Sequence, residues 1–370
     1  MPAYEGGSTG ESETLTAQLV KELAQILASR NLALPERYLR AFRRVPRHHF
    51  LLPELQSGAV SLADVYSAGK VVPIKRDAAR DAVTSSSSAP DTMATMLVDL
   101  DVDVGHHVLE IGTGSGYNAA LLKCIVGEAG SVVSVEIQPD VARRAREALR
   151  PYDVTVVVAD AAELELDRRF DRIVVTAAVQ DLHPVWLRSL ADGGRCVAPV
   201  NWLGIWSPTL VTDRSGPRWL SRFGRGIYSF MPLTGQSGSS LLMPVVQSAT
   251  WSLRKVPFYQ SSPAVRRLTG SLSDRYGFAF FGLLERDPIV SIQFPGGRWE
   301  FGVGDATHFA AITPMGLVYT SDAACRTLQR IIARWSESGA PSLQQFELVV
   351  GGTSGRWQWK PQHNEYWVDA

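Results

Sequence analysis

Three glycines at alternate positions, Gly112, Gly114 and Gly116, follow the apolar run Val108-Leu-Glu-Ile111 and precede Tyr117-Asn-Ala-Ala-Leu-Leu122. Val108, Leu109 and Ile111 read as a buried strand, and Ala119 to Leu122 as the start of a helix, so the glycines make the turn between them. Glycine there lets backbone N–H groups face a ligand at close range with no side chain intruding. Such a turn can also be an ordinary connection, and the residues further along decide. Dinucleotide enzymes carry G-x-G-x-x-G. Here the spacing is G-x-G-x-G, with Glu110 two residues before the first glycine, which suits a ligand lacking a pyrophosphate. Ser131 to Ile137 reads as a second strand with Glu136 near its end, where a carboxylate can accept both hydroxyls of a ribose. Val154 to Val158 reads as a third strand leading into Asp160, from which an acid can reach an adenine amino group. Phe170 to Thr176 makes a fourth. Acids at successive strand ends after a glycine turn point to S-adenosylmethionine (SAM), with S-adenosylhomocysteine (SAH) as product. The candidate cofactor contacts are Glu110, Gly112, Thr113, Gly114, Gly116, Glu136, Ile137, Asp160, Ala161 and Thr176.

These residues need a scaffold. Leu19, Leu23, Ile26 and Leu27 give Leu15 to Arg30 a helical period, and a second helix is expected near Arg37 to Arg44, after Pro35. Asp64 to Arg80 reads as extended chain with turns, and Asp91 to Leu100 as a helix. Strands and helices then alternate to Val200, which predicts an α/β fold: a doubly wound, parallel, Rossmann-like SAM-methyltransferase sheet with ligands at the C-terminal strand ends. Beyond it, Tyr276–Leu284 and Pro288–Phe294 read as strands and Thr327–Trp335 as an amphipathic helix with Ser321 or Asp322 near its N-cap. Phe346–Val350 and Arg356–Trp359 read as a hairpin around Gly351–Gly355. The expected organisation is a tail without structure over residues 1–14, a catalytic domain over 15–235 and a small α+β extension over 236–370. The region from Asn201 onward holds nine of the ten tryptophans, among them Trp202, Trp206, Trp219, Trp251, Trp299, Trp357, Trp359 and Trp367. Aromatics of this kind form a domain core or line a groove for a peptide.

Bulk properties narrow the class. The 37 basic residues balance 37 acidic ones, which gives a nucleic-acid surface no electrostatic support. Cys124, Cys196 and Cys325 lie far apart, with neither metal spacing nor a disulfide framework. A hydrophobic fraction of 45% supports a large core, and no run is long enough to span a bilayer. A cytoplasmic monomer without metal is the expectation.

The run Thr84-Ser-Ser-Ser-Ser-Ala-Pro90 could be a plain loop in which Ser88 or Asp91 caps the next helix. Several segments, however, resemble the protein-L-isoaspartate O-methyltransferase family in its own order. They are Ala41–Phe50, Ser86–Pro90, the glycine turn, Ile173–Ala178, Gly193–Val200 and Phe230–Gly235, and together they span about Leu34 to Gly235. The remaining third has no counterpart in the ordinary repair enzyme. The resemblance places Ser88 on the serine that holds the substrate carboxylate, and Ser87 or Thr84 is the candidate helper. Ser86 and Ser87 depart from the family's threonine and isoleucine, which makes the segment more polar.

The reaction that the resemblance implies is esterification of an aspartyl or isoaspartyl carboxylate. That group is ionised at neutral pH, with a pKa near ~4, so no base is needed. His48, His49, His106, His107 and His183 are therefore structural or solvent-facing rather than catalytic. Three functions are compatible with the residues. The leading one is a SAM-dependent methyltransferase acting on an aspartate in a constrained ribosomal precursor peptide, leading to succinimide (aspartimide) or isoaspartate. It follows from a resemblance to C-terminally extended actinobacterial enzymes that tailor lanthipeptides and graspetides, with the extension recognising the peptide. The second is a general isoaspartyl repair enzyme, and the third a non-catalytic peptide-binding module.

Overall fold

The computed structural model describes residues 9–79, 81–164, 168–202, 206–235, 245–247, 253–256, 267–268, 270–285, 287–294, 299–305, 307–313, 316–351, 357–360 and 366–368. The chain divides into two compact units. The first comprises Met1–Pro199, Val211–Gly216 and Phe230–Ser239; the second takes Val200–Leu210, Pro217–Ser229 and Ser240–Ala370. A single boundary between residues 235 and 236 was expected, whereas the chain enters the second unit at Val200 and returns.

The first unit opens with α1 (Thr9–Ser29) and α2 (Glu36–Arg44), followed by the short helices α3 (Leu52–Gln56) and α4 (Leu62–Val65). Helix α1 begins at Thr9, which corrects the structureless tail expected to reach residue 14; residues 1–8 lie outside the described residues. Strands β1 (Val72–Asp77) and β2 (Ala82–Ser87) form an antiparallel pair in which Val72 stands opposite Ser87 and Asp77 opposite Ala82. Serines are weak strand formers, and the serine run is extended because β1 pairs with it. Helix α5 (Pro90–Leu100) follows, with Pro90 in its first turn and Ala89 at the N-cap. Neither Ser88 nor Asp91 caps it.

The central sheet contains β3 (His107–Ile111), β4 (Ser131–Glu136), β5 (Val154–Val158), β6 (Phe170–Val175) and β7 (Leu190–Pro199). Their order is β7-β6-β3-β4-β5, and every adjacent pair is parallel. Helices α6 (Tyr117–Val126), α7 (Pro139–Ala148) and α8 (Pro184–Ser189) connect them. Valine-rich strands suit burial on both faces. The order reverses between β3 and β6, so a crevice opens beyond the C-terminal ends of those two strands. The predicted doubly wound sheet is present.

Strand β8 (Ser207–Ser215) carries the chain between units, and β9 (Arg218–Tyr228) belongs to the second. There, β10 (Val245–Gln247), β11 (Arg254–Val256), β12 (Ile289–Gln293), β13 (Trp299–Gly304), β14 (Phe309–Thr313) and β15 (Gly316–Tyr319) form a sheet in the order β10-β12-β13-β14-β15-β11. Helices α9 (Leu272–Leu284) and α10 (Asp322–Glu337) pack against it. β16 (Glu347–Gly351), β17 (Trp357–Lys360) and β18 (Tyr366–Val368) pair antiparallel in sequence, and β16 also pairs with β9.

Tyr276–Leu284, expected to be a strand, lies in α9. A short, continuously apolar run does not distinguish the two by period. What decides it is Ser271, whose hydroxyl accepts from Asp274 N as the N-cap, and burial of Tyr276, Phe278, Phe280 and Phe281 around the whole helix. Expected helix Thr327–Trp335 is part of α10, capped by Ser321. The aromatics of this unit build its core: Phe280 stands 5.3 Å from Phe223 and 5.2 Å from Phe346 between ring centroids, and Trp335 Nε1 donates to Pro341 O. Trp251, residues 352–356 of the hairpin turn, and the side chains of Trp357, Trp359 and Trp367 lie outside the described residues.

Candidate active site

The glycine turn takes the conformation its composition demands. Gly112, Gly114 and Gly116 have φ of 97°, 53° and 87°, a region that side chains disfavour. Gly112 N and Thr113 N donate to Val135 O, pinning the turn to β4. Thr176, just past β6, donates its hydroxyl to Gly112 O at 2.7 Å. A Cβ on Gly112 would lie 2.3 Å from that hydroxyl oxygen, so the two strand ends approach closely only because residue 112 is glycine.

A cleft of about 1100 Å³ of open space lies over this turn. Gly112, Thr113, Gly114, Glu136, Ile137 and Thr176 line it, and so does Ala161. The opposite wall is the serine strand β2, the apolar side of α5 with Met93 and Met96, and the segment Phe230–Thr234. That last segment is held by Ala178, whose N donates to Met231 O and whose O accepts from Leu233 N.

Three expected cofactor contacts are not among the lining residues, although Asp160 stands between two that are, Ala159 and Ala161. Gly116 is covered by Leu149 and Ala145 rather than facing the cleft. Asp160 accepts from Ala162 N, and a Cβ on Gly235 would lie 2.3 Å from its Oδ2, so it stands under Gly235 at the rim. Glu110 is wholly buried and touches no cleft surface. Its carboxylate accepts from Asn118 Nδ2 at 2.8 Å and from Ser134 Oγ at 2.5 Å, and Ser134 also meets Thr113 Oγ1. Glu110 thus braces the turn against α6 and β4. Asn118 and Ser134, its partners, were not singled out in the sequence, because neither bears a charge or a motif of its own.

Burial pushes the Glu110 carboxyl up to about 7, with Ser134 and Asn118 opposing the shift and Glu136 adding to it. An unfolded glutamate titrates near 4.5, so ionisation becomes costlier in the fold as pH rises from about 4.5 to about 7. Stability should therefore decline across that window and stay lowered above it. In Glu110→Gln this decline should vanish, a difference approaching ~3 kcal/mol by the one-unit rule. Thermal melts of both proteins from pH 5 to pH 8 check this, and parallel curves would refute it.

The carboxylate of Glu136 faces the cleft, with Oε2 accepting from Gly114 N at 3.0 Å and Oε1 from Gln138 N at 3.1 Å. Thr84 also lines the cleft, and its buried hydroxyl lacks a partner. A close-approach glycine cradle, a strand-end carboxylate and an orphan hydroxyl fit the diol and amino groups of an adenosyl ligand.

Strand geometry separates the acceptor-side candidates. At about 3.3 Å per residue, Thr84 and Ser88 stand roughly 13 Å apart along β2 and its continuation. Gln138 Nε2 donates to Thr84 O, which places Thr84 beside the Glu136 end of the cleft. Ser87 and Ser88, just before α5, also line the cleft, and Arg47 reaches Ser88 O at 2.9 Å. Thr84, expected as a helper of Ser88, lines the same cleft and stands beside Gln138. Arg47 was overlooked in the sequence, although it stands inside the resembling segment Ala41–Phe50.

Comparison with known proteins identifies the family. The family model described as protein-L-isoaspartate(D-aspartate) O-methyltransferase matches residues 18–238. The chain is 35% identical over 211 residues to protein-L-isoaspartate O-methyltransferase 2 of Archaeoglobus fulgidus, covering 56% of this chain and 89% of that one. It is 35% identical over 231 residues to the protein-L-isoaspartate O-methyltransferase of Korarchaeum cryptofilum, covering 59% and 98%. A solved protein-L-isoaspartate O-methyltransferase structure has a TM-score of 0.55 at 21% identity and covers 95% of this chain and 99% of its own. The likeness in fold to that structure therefore extends into the C-terminal third, for which no counterpart was expected in the ordinary repair enzyme.

Proposed function

The chain belongs to the protein-L-isoaspartate O-methyltransferase family, a SAM-dependent enzyme family, and on that premise we propose that its cleft esterifies the side-chain carboxyl of an isoaspartyl residue in a protein or peptide. The observation that supports this reading is a single cleft lined both by the glycine turn and Glu136, which we assign to the cofactor, and by Ser87 and Ser88, which we assign to the acceptor. SAM bound there supplies an electrophilic methyl group. Glu136 holds the ribose end, and the glycine turn faces the ligand with backbone alone. At the far end, Ser88 donates its hydroxyl to one oxygen of the acceptor carboxylate and leaves the other free to attack. The new C–O bond forms as the C–S bond breaks, so the products are a methyl ester and SAH. Met93, Met96 and Leu97 exclude water from that end, and orientation supplies most of the acceleration. The ester is then open to attack by the next backbone nitrogen, which expels methanol and closes a succinimide.

A second reading, tailoring of a constrained ribosomal peptide at an ordinary aspartate, is favoured by one feature. Ser87, a buried residue with 1% exposure, stands where the family pattern has isoleucine. The second unit does not argue for it, since a solved isoaspartate methyltransferase covers the same length.

Mass spectrometry of two SAM reactions separates the readings, one with a short isoaspartyl peptide and one with a thioether-bridged peptide containing aspartate. Methylation of the first supports the isoaspartyl reading. Reaction of the bridged peptide alone, seen as a gained methyl and then a lost methanol, supports tailoring. Inertness toward both, with SAH bound, would overturn carboxyl methylation.

A further inference from the structure

Arg47 is a cation with no exposed surface, set in the single turn Arg47–Phe50. Its Nη1 donates to Val65 O at 2.7 Å. Nη2 reaches Ser88 O at 2.9 Å, Lys70 O at 3.1 Å and Ser87 Oγ at 3.4 Å. The guanidinium carbon stands 5.8 Å from the Tyr117 ring centroid, and Nε has no partner. Burial draws its pKa down to about 10, so it remains a cation at neutral pH.

Every acceptor it meets is neutral. The neighbouring acids are engaged elsewhere: Asp64 with Lys70, Asp91 with Arg30, and Glu54 with Arg144. Among the described residues no carboxylate pairs with Arg47. Carbonyl and hydroxyl oxygens compensate a desolvated charge only in part, and buried arginines are ordinarily matched by an anion. Two of the residues Arg47 holds, Ser87 and Ser88, form the wall of the cleft at its acceptor end.

Resting on the carboxyl-methylation reading, we propose that Arg47 is the positioning and specificity-determining residue of the acceptor end, fixing Ser87 and Ser88 from behind and supplying the positive potential that selects an anionic acceptor. The potential acts through a low-dielectric wall, where screening by water is weak. It favours the carboxylate and not its neutral ester, so attraction falls once the methyl group has been transferred and the product is released. A lysine or arginine touching the carboxylate would pair with the attacking oxygen and blunt it; a cation set one residue layer back avoids this.

The test measures binding to the full chain saturated with SAH. Two peptides are compared, one isoaspartyl and one identical except for an isoasparaginyl amide, against wild type, Arg47→Gln and Arg47→Lys. Wild type should bind the acid about tenfold more tightly than the amide, in line with a charge-assisted interaction. Arg47→Gln should bring that ratio toward one while SAH affinity stays within about twofold, and Arg47→Lys should restore most of it. Equal weakening toward both peptides in Arg47→Gln, or an unchanged ratio, would show a purely structural role and overturn the proposal. Should Arg47→Gln fail to fold, the wild-type ratio decides, because a ratio near one overturns the proposal without any variant. Failure of the underlying reading looks different: wild type then binds neither peptide and methylates none.

Discussion

Glu136→Ala is expected to weaken SAH binding by about 10²–10³-fold, the largest effect of any single substitution in the cleft. The carboxylate has two tasks. In the structure it accepts from Gly114 N and Gln138 N, tying the glycine turn to the end of β4. On the proposed reading its remaining lone pairs accept from the ribose hydroxyls, and each hydrogen bond to a charged group contributes about 1.5–3 kcal/mol. Alanine removes both tasks, whereas Glu136→Gln keeps the shape and loses the charge, so its loss should be intermediate. Calorimetric titration with SAH reads the three affinities, with circular dichroism to confirm that the sheet persists. Near wild-type affinity in Glu136→Ala would mean that the adenosyl ligand does not lie along β4.

Ser88→Ala should give the opposite split. Its affinity for SAH should stay within about twofold of wild type, while kcat/KM for the acceptor peptide falls by about 10–100-fold, the cost of one hydrogen bond to a charged carboxylate. Thr84→Ala serves as the contrast. Its hydroxyl is an unpartnered group at the cofactor end, four residues away along the serine strand, so the loss should appear in SAH affinity. If Ser88→Ala turns over normally, or if Thr84→Ala damages the acceptor KM alone, the two ends of the cleft have been assigned the wrong way round.

The two substitutions also mark where sequence patterns suffice. Positive φ at alternate residues requires glycine wherever it occurs, so Gly112, Gly114 and Gly116 announce the turn without reference to anything distant. Valine runs bounded by turns announce parallel strands in the same way, and Glu136 follows from its place at a strand end. Composition misleads where pairing decides. The serine run has poor strand propensity, yet it is extended because β1 lies beside it. The aromatic run Tyr276–Leu284 suits a strand, yet burial on all sides and the Ser271 cap make it helical.

Side-chain direction was the least legible property. Glu110 and Glu136 look alike in sequence, each an acid at the end of a valine-rich or leucine-rich strand. One is sealed beneath the turn by Asn118 and Ser134, and the other opens on the cleft. Arg47 is one arginine among several in its segment until its partners, 18, 23, 40 and 41 residues away, are brought around it. The sequence by itself determined the parallel sheet, the glycine turn and the cofactor class, because backbone conformation and apolar periodicity are local requirements. Only the tertiary structure decided which acid opens on the cleft, which hydroxyls line it, and which cation is buried against Ser87 and Ser88, because burial and charge compensation depend on groups that the chain brings together from far apart.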